Sequence, residues 1–261
     1  MHEQLPEAVT RAEREWLRAH VLGTTRTRAA AQALDPRQQG EFDALLARRA
    51  AGEPLAYILG EWEFWSLPLK ITPDVLVPRA DTETLVEWAL QLAPPQARVL
   101  DLGTGSGAIG LALARERPQA SVVAIDTSTA ALEVAQHNAQ RLGIANVEFL
   151  HTDFRAALDD GERYELVVSN PPYIAENDPH LADLQYEPRI ALTAGADGLD
   201  QLRVIVANAP AALEERGWLL VEHGYDQGAA VRGLFERAGF LQVQTRRDLG
   251  GNERVTGGRR A

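Results

Sequence analysis

From Asp81 onward, apolar strand-like runs alternate with amphipathic helical stretches, and few arrangements satisfy such a pattern. Arg98–Leu102, Ser121–Ile125, Val147–Leu150 and Tyr164–Ser169 are short apolar runs. Between the first three lie helical segments predicted over Ser106–Arg115 and Ser128–Leu142. A helix over Leu202–Glu215, a strand over Trp218–Val221, a helix over Gln227–Ala238 and strands over Phe240–Gln244 and Arg254–Thr256 complete the chain. Strands that are apolar throughout need cover on both faces. Repeated β-α-β units supply it, so the expectation is an α/β fold with a mostly parallel sheet. In such sheets ligands sit beyond the carboxyl ends of the strands.

The first eighty residues read differently. Residues 5–53 look helical, with Val9, Ala12, Trp16 and Ala19 on one stripe and Phe42, Leu45 and Leu46 on another. Asp35-Pro36 places a capping side chain before a first-turn proline. From Gly52 to Ala80, Pro54, Pro68, Pro73 and Pro78 interrupt helices. Phe64–Leu67 and Leu69–Ile71 read there as short strands around Pro68. Asp81 or Thr82 caps the next helix, which stops before Pro94-Pro95. This divides the chain into a helical domain over 1–60, a β-hairpin linker over 61–81 and a main domain over 82–261.

Composition excludes several classes of function. With no cysteine, disulfides and thiolate metal sites are impossible, and the six histidines show no zinc-type spacing. No metal is expected. The early charges Glu3, Glu7, Arg11 and Glu13 do not suit a signal peptide, and no run approaches membrane-spanning length. The expectation is a cytoplasmic protein. A net charge of −11 opposes broad phosphate-driven binding, so no stable nucleic-acid partner is expected.

Two motifs carry the chemistry. The first, Asp101-Leu102-Gly103-Thr104-Gly105-Ser106-Gly107, joins the first parallel strand to its helix. Glycines permit close backbone approach, and the helix start presents free N–H groups. Asp126 ends the next strand, 23 residues after Gly103, where a carboxylate suits ribose hydroxyls. Gly103, Gly105 and Ala108 also fit the dinucleotide pattern G-x-G-x-x-G/A. Two details favour S-adenosylmethionine. Asp101 is placed to meet an ammonium and would sit badly beside a pyrophosphate. Asp153-Phe154 after the third strand suits an adenine amine and ring, although Asp153 is equally a helix cap.

The second motif is Asn170-Pro171-Pro172-Tyr173, after the fourth strand. Two prolines remove two backbone donors. The turn therefore offers the Asn170 side-chain oxygen and backbone carbonyls as acceptors, with the flat ring of Tyr173 beside them. Such an edge suits a planar NH2 group. With the glycine loop and Asp126, it resembles the amino-methyltransferases, which methylate adenine amines in nucleic acids or glutamine amides in proteins.

The flanking sequence is more specific. Pro54–Phe64, Val75–Glu83, Glu187–Leu192, Gly195–Leu199, Glu222-His223-Gly224 and Arg247–Val255 resemble the release factor glutamine methyltransferases, the PrmC/HemK family. The resemblance runs from about Pro54 to the C-terminus. Ala80 stands where that family often has proline. The resemblance implies a class I S-adenosylmethionine-dependent methyltransferase, Rossmann-like, with a small N-terminal helical domain and a hairpin linker. It also implies the substrate, the glutamine of the Gly-Gly-Gln motif in peptide-chain release factors, and a helical domain that helps to hold the factor.

The expected site follows. Asp101, Gly103, Thr104, Gly105, Ser106, Gly107, Asp126, Asp153, Phe154 and Asn170 would bind S-adenosylmethionine. Asn170, Pro171, Pro172 and Tyr173 would bind the acceptor, with Asn170, Pro171 and Tyr173 catalytic. Asn170 Oδ1 and the Pro171 carbonyl would each accept an amide N–H, and Tyr173 would pack on the amide. S-adenosylhomocysteine would be the product. Two other readings stand beside this one: an adenine-N6 methyltransferase acting on DNA or RNA, and a non-catalytic adaptor with a relic cofactor pocket. His223 follows a strand end and reads as structural rather than as a base. Ile174–Asp200 reads either as a lid or substrate-contact loop or as a surface excursion with a short helix.

Overall fold

A computed structural model describes residues 9–261, so the part of the N-terminal helical expectation over residues 5–8 lies outside the described residues. The chain forms two compact units, one ending at Trp62 and the other running from Glu63 to Ala261.

In the first unit, α1 (Arg11–Val21) starts at a capping box in which Thr10 and Glu13 satisfy each other's backbone donors. A short α2 (Arg26–Ala29) follows. In α3 (Pro36–Ala50), Asp35 caps through Gln38 and Pro36 occupies the first turn, as the sequence predicts. The short α4 (Leu55–Leu59) ends at a left-handed Gly60. Val9, Leu17, Leu46, Leu55 and Ile58 make the unit's core, with Phe42 and Leu45 partly buried against it. The predicted stripe of α1 needs correction. Because the helix begins after Thr10, Val9 precedes it and Leu17 points inward. Ala12 is exposed and Trp16 lies at the surface under the Arg26 guanidinium, 4.4 Å from the ring centre.

Next come β1 (Glu61–Phe64) and β2 (Leu67–Lys70), a two-stranded hairpin. Its turn is Trp65-Ser66, with φ of 50° and 58°, not the Pro68 position that the sequence suggests. Two successive left-handed residues match the twist of a tight hairpin, and a proline on a short exposed strand costs the ladder little.

The second unit contains α5 (Glu83–Leu92), β3 (Arg98–Leu102), α6 (Ala108–Glu116), β4 (Ser121–Asp126), α7 (Thr129–Leu142), β5 (Val147–His151), α8 (Phe154–Leu158), β6 (Tyr164–Ser169), α9 (Asp200–Ala212), β7 (Leu213–Glu222), α10 (Gly228–Arg237), β8 (Leu241–Arg247) and β9 (Glu253–Arg259). The sheet order is β5-β4-β3-β6-β7-β9-β8. Strands β3 to β7 are parallel, and β9 runs antiparallel between β7 and β8. Helices α9 and α10 bury Leu202, Ile205, Val206, Val231 and Phe235 against Leu100, Val167, Leu219 and Val221. Helices α5, α6 and α7 supply a second set of buried side chains, including Leu85, Val86, Leu111 and Val134. The sequence overextends α9. Pro210 lies inside the helix near its end, and Leu213 already pairs with Tyr164 on β6. A register shift over residues 213–218, with Arg216 at φ 65°, leads that strand into the sheet.

Chain order reverses at β3, which pairs with β4 on one side and β6 on the other. Such a reversal opens a crevice at the carboxyl ends of the two strands.

Candidate active site

Leu102 and Ser169 are register partners at the ends of β3 and β6. The Ser169 hydroxyl donates to the Leu102 carbonyl at 2.8 Å, tying the two ends together. The residues that follow, Gly103 and Asn170, therefore emerge side by side. Both line a cavity of about 390 Å3.

The glycine loop forms one wall. Gly103, Gly105 and Gly107 take φ of 75°, 55° and 86°, values that strain any residue with a Cβ. The amides of Gly103 and Thr104 both donate to the Ile125 carbonyl at 2.9 Å, which holds the loop over β4. Nothing stands within 4 Å of where a Gly105 side chain would project, whereas the Phe154 ring packs against Gly103. Asp126 Oδ2 accepts from Gly105 N at 3.0 Å, and its Oδ1 accepts from Ser128 N at 2.9 Å. A carboxylate has about four acceptor positions, so Asp126 keeps capacity for hydroxyls in the cavity. Ser106, 3% exposed, has its carbonyl bonded by Asn138 Nδ2 at 2.9 Å. Asn138 also grips both backbone groups of Lys70.

Asp101 departs from its expected place. The sequence sets it against an ammonium, but the structure buries it completely, beneath the loop and outside the cavity lining. Its Oδ2 accepts from the Thr104 hydroxyl at 2.7 Å and from Gly110 N at 3.0 Å. Burial pushes the carboxyl up to about 6; those two bonds oppose the rise and the charge of Asp126 adds to it. Gly110 was not singled out by sequence reasoning. A Cβ there would lie 2.9 Å from Asp101 Oδ2, so the carboxylate requires glycine on the helix above it.

Asp153 and Phe154 both line the cavity. Asp153 is also the cap of α8, accepting from Ala156 N at 2.9 Å, as the second of its two sequence readings expects. A purine base beside Phe154 and a ribose on Asp126 are chemically compatible with this wall.

The acceptor turn forms the facing wall. Asn170 and Pro172 line the cavity, and Pro171 is buried. Asn170 Nδ2 donates to Thr82 Oγ1 at 3.2 Å, which leaves Oδ1 as its remaining polar atom. Tyr173 lies outside the lining, with its ring against the core and its hydroxyl donating to Glu222 Oε1 at 3.1 Å. Burial, and then the nearby Glu222 charge, raise the phenol above its ordinary range. The Tyr173 carbonyl accepts from Gln227 Nε2 at 2.9 Å. A Cβ on Gly198 would lie 2.2 Å from that carbonyl.

A third wall joins the segment after the hairpin to part of the Ile174–Asp200 excursion. Asp74, Val75, Leu76, Pro78, Arg79 and Thr82 line the cavity from one side, and Pro188, Ile190 and Ala191 join them from the other. Glu187 clasps the two segments, accepting from Val77 N at 3.2 Å and pairing with Arg79. The excursion over 174–200 thus contributes to the cavity. It carries two 3-10 turns and a bridge between Ile174 and Thr193. No local pattern marks Thr82, Glu187 or Gln201 as site residues, because each arrives from a distant part of the chain. His223 is fully buried, with its ring bonded to the Gly224 carbonyl and the Thr256 hydroxyl at 2.8 Å each. Burial lowers its basicity, and it lies outside the cavity lining. Among the described residues no group of three His, Cys, Asp or Glu side chains is placed to hold a metal ion. No helix among them is long and apolar enough to cross a membrane.

Comparison with known proteins agrees with this architecture. The family model described as Methyltransferase small domain matches residues 80–185, and that described as PrmC N-terminal domain matches residues 2–60. The chain is 52% identical over 260 residues to the release factor glutamine methyltransferase of Pseudomonas aeruginosa, covering 97% of this chain and 94% of that protein. It is 49% identical over 255 residues to the enzyme of the same name from Escherichia coli, covering 95% and 92%. A methyltransferase from Pyrococcus furiosus superposes with a TM-score of 0.57 at 15% identity, covering 82% of this chain and 97% of that one. The Thermus thermophilus 16S rRNA N2 G1207 methyltransferase, solved with AdoMet and guanosine, gives 0.56 at 22% identity, covering 77% and 50%. These two structures speak for the fold alone. With this fold and this identity over nearly its whole length, the chain belongs to the release factor glutamine methyltransferase family and is an S-adenosylmethionine-dependent methyltransferase.

Proposed function

We propose that the protein transfers a methyl group from S-adenosylmethionine to the side-chain amide nitrogen of the glutamine in the Gly-Gly-Gln motif of peptide-chain release factors, in the cytoplasm. One observation carries the reading: the glycine loop and the Asn170 turn face one another across a single cavity at the β3–β6 reversal. The names and near-full-length identity of the relatives support the choice of substrate.

The residues present suit the cofactor. Gly105 leaves open space above the loop, Asp126 has spare acceptor positions for ribose hydroxyls, and Asp153 with Phe154 offers an acceptor and a ring to adenine. Gly103, Thr104, Ser106 and Gly107 shape the cradle. Bound there, S-adenosylmethionine supplies an electrophilic methyl on a sulfonium. Asp101 acts from beneath, holding Thr104 and Gly110 so that loop and helix keep their places.

An amide nitrogen is a weak nucleophile because its lone pair is shared with its carbonyl. Asn170 Oδ1 and the Pro171 carbonyl each accept one amide N–H, which draws the nitrogen toward tetrahedral geometry and aims the lone pair. As positive charge develops on nitrogen, the same two oxygens stabilise it. Pro172 shapes the turn on the cavity side. Tyr173 braces the turn from behind through Glu222. The N-methylated amide would carry the positive charge as a strong acid and would give its proton to water, so no strong base enters this scheme. Residues 1–60 form a domain that helps to hold the factor, 61–81 the hairpin linker, and 82–261 the catalytic domain.

Tritiated methyl transfer measured in parallel on a release factor, DNA and RNA tests the proposal. Mass spectrometry is expected to place one methyl on the Gly-Gly-Gln glutamine. Labelling confined to DNA or RNA would replace this reading with adenine-N6 methylation.

A further inference from the structure

The cavity lining leaves Glu222 unexplained. It is the last residue of β7, 1% exposed, and stands directly behind the acceptor turn. Its Oε1 accepts the Tyr173 hydroxyl at 3.1 Å. Its Oε2 is buried with no hydrogen-bond partner, and the Thr82 hydroxyl adjoins the same carboxyl. Thr82 Oγ1 in turn accepts from Asn170 Nδ2 at 3.2 Å. One buried carboxyl therefore backs both polar side chains of the turn.

The chemistry of the groups gives this chain a direction. An ionised carboxylate only accepts hydrogen bonds, so neighbouring hydroxyls must donate to it. With its proton turned to the unpartnered Oε2 of Glu222, Thr82 Oγ1 offers only lone pairs to Asn170. The amide must then present Nδ2 to Thr82, and its oxygen turns to the cavity. Reversed, the amide would aim a donor at the substrate N–H groups and repel them. We infer that Glu222 is a positioning residue for methyl transfer: through Thr82 it sets which end of the Asn170 amide faces the acceptor nitrogen, and through Tyr173 it anchors the turn. This deepens the proposed function and rests on it.

The groups facing Glu222 come from three elements. Thr82 and Asp81 precede α5, Tyr173 follows β6, and Arg254 reaches in from β9. Arg254 also pairs with Asp248 at 3.1 Å and Asp81 at 3.3 Å. His223 is next in the chain, but its ring is committed to Gly224 and Thr256. Burial pushes Glu222 up to about 7, opposed by the Thr82 hydroxyl, Arg254 and Tyr173, while Asp81 adds to the rise. Below that pH the carboxyl is protonated and becomes a donor. Thr82 is then free to donate to Asn170, and the amide loses its enforced orientation. The kcat is therefore expected to fall as pH drops through about 7.

The test combines kinetics with a readout that needs no turnover. With full-length protein and a release factor, E222Q and T82V are expected to lower kcat about 10-fold or more, and T82S to restore most of it. Binding of S-adenosylhomocysteine by calorimetry should stay within about twofold, because the cofactor wall is untouched. The acidic limb should vanish in E222Q. The Asn170 side-chain amide signals in 15N spectra, assigned by their loss in N170A, should titrate near 7 in the parent and not in E222Q. The inference is overturned if E222Q keeps kcat within about twofold at about pH 8, if its acidic limb persists, or if T82S is as impaired as T82V. Asn170 signals that titrate alike in parent and E222Q overturn it too. Failure of the parent to methylate a release factor would defeat the proposed function, and the amide signals would still decide the inference.

Discussion

The two halves of the cavity are built in different ways. The cofactor wall comes from one consecutive stretch, Gly103 to Phe154, and its key bonds run between backbone amides and the residue that ends the next strand. The acceptor wall is assembled from distant pieces. Asn170 and Thr82 are 88 residues apart, and Tyr173 and Glu222 are 49 apart. The first half follows from strand, glycine turn and helix, whose geometry is local. The second depends on side chains that meet only when the sheet has closed.

The sharpest way to break the comparison is Asn170→Ala. It should cut kcat on a release factor by roughly 10³-fold, in line with losing one preorganised polar group aimed at developing charge. S-adenosylhomocysteine binding should remain measurable by calorimetry. Near-normal turnover would show that the two walls do not divide the work in this way.

Asp126→Ala addresses the other wall. It removes the acceptor for Gly105 and Ser128 as well as the proposed ribose contact. Hydrogen bonds to a charged group contribute about 1.5–3 kcal/mol, so the cofactor Kd should rise roughly 10- to 100-fold. An unchanged Kd would take Asp126 out of the cofactor site.

Gly110→Ala asks whether the cofactor wall depends on its buried prop. The new Cβ would crowd Asp101 Oδ2, found 2.9 Å away, and disturb the two bonds that this oxygen accepts from Thr104 and Gly110. Chemical denaturation should register a loss of about 1–3 kcal/mol. A fully stable variant with normal cofactor affinity would show that Asp101 does not brace the loop.

The smallest effect is expected for Glu187→Gln. The amide oxygen can still accept from Val77, but the charge on half-exposed Arg79 loses its partner. Solvent reaches Arg79 and can take over its charge, while the new amide keeps the bond in the buried half, so a loss of about 1 kcal/mol is expected by the same measurement. The KM for the release factor should rise more than the cofactor Kd, because the clasp joins the segments opposite the glycine loop.

Legibility followed the same division. The strands β3 to β6 and the glycine loop lie where apolar runs and glycines mark them. The misreadings arose where a local rule met a competing one. The hairpin turns at Trp65-Ser66 because strand twist outweighs the usual aversion of aromatic residues to positive φ. Helix α9 stops at Ala212 because Leu213 gains a partner on β6. Trp16 stays at the surface because the Thr10 cap sets the helix phase and brings Leu17 inward. Asp101 turned out to be a buried brace, since sequence order places it at the loop without saying which way its carboxyl points.

By itself the sequence determined the alternating fold, the glycine loop with its acid, and an acceptor-rich turn after β6. Each is encoded by neighbours a few residues apart, through periodicity, backbone freedom and missing donors. Only the tertiary structure decided that loop and turn share one cavity, because that depends on β3 pairing with β6. It alone decided that Asn170 is held by Thr82 and that Glu222 stands behind Tyr173. Those contacts join separate elements, and no local pattern specifies a bond between side chains that only a closed sheet brings together.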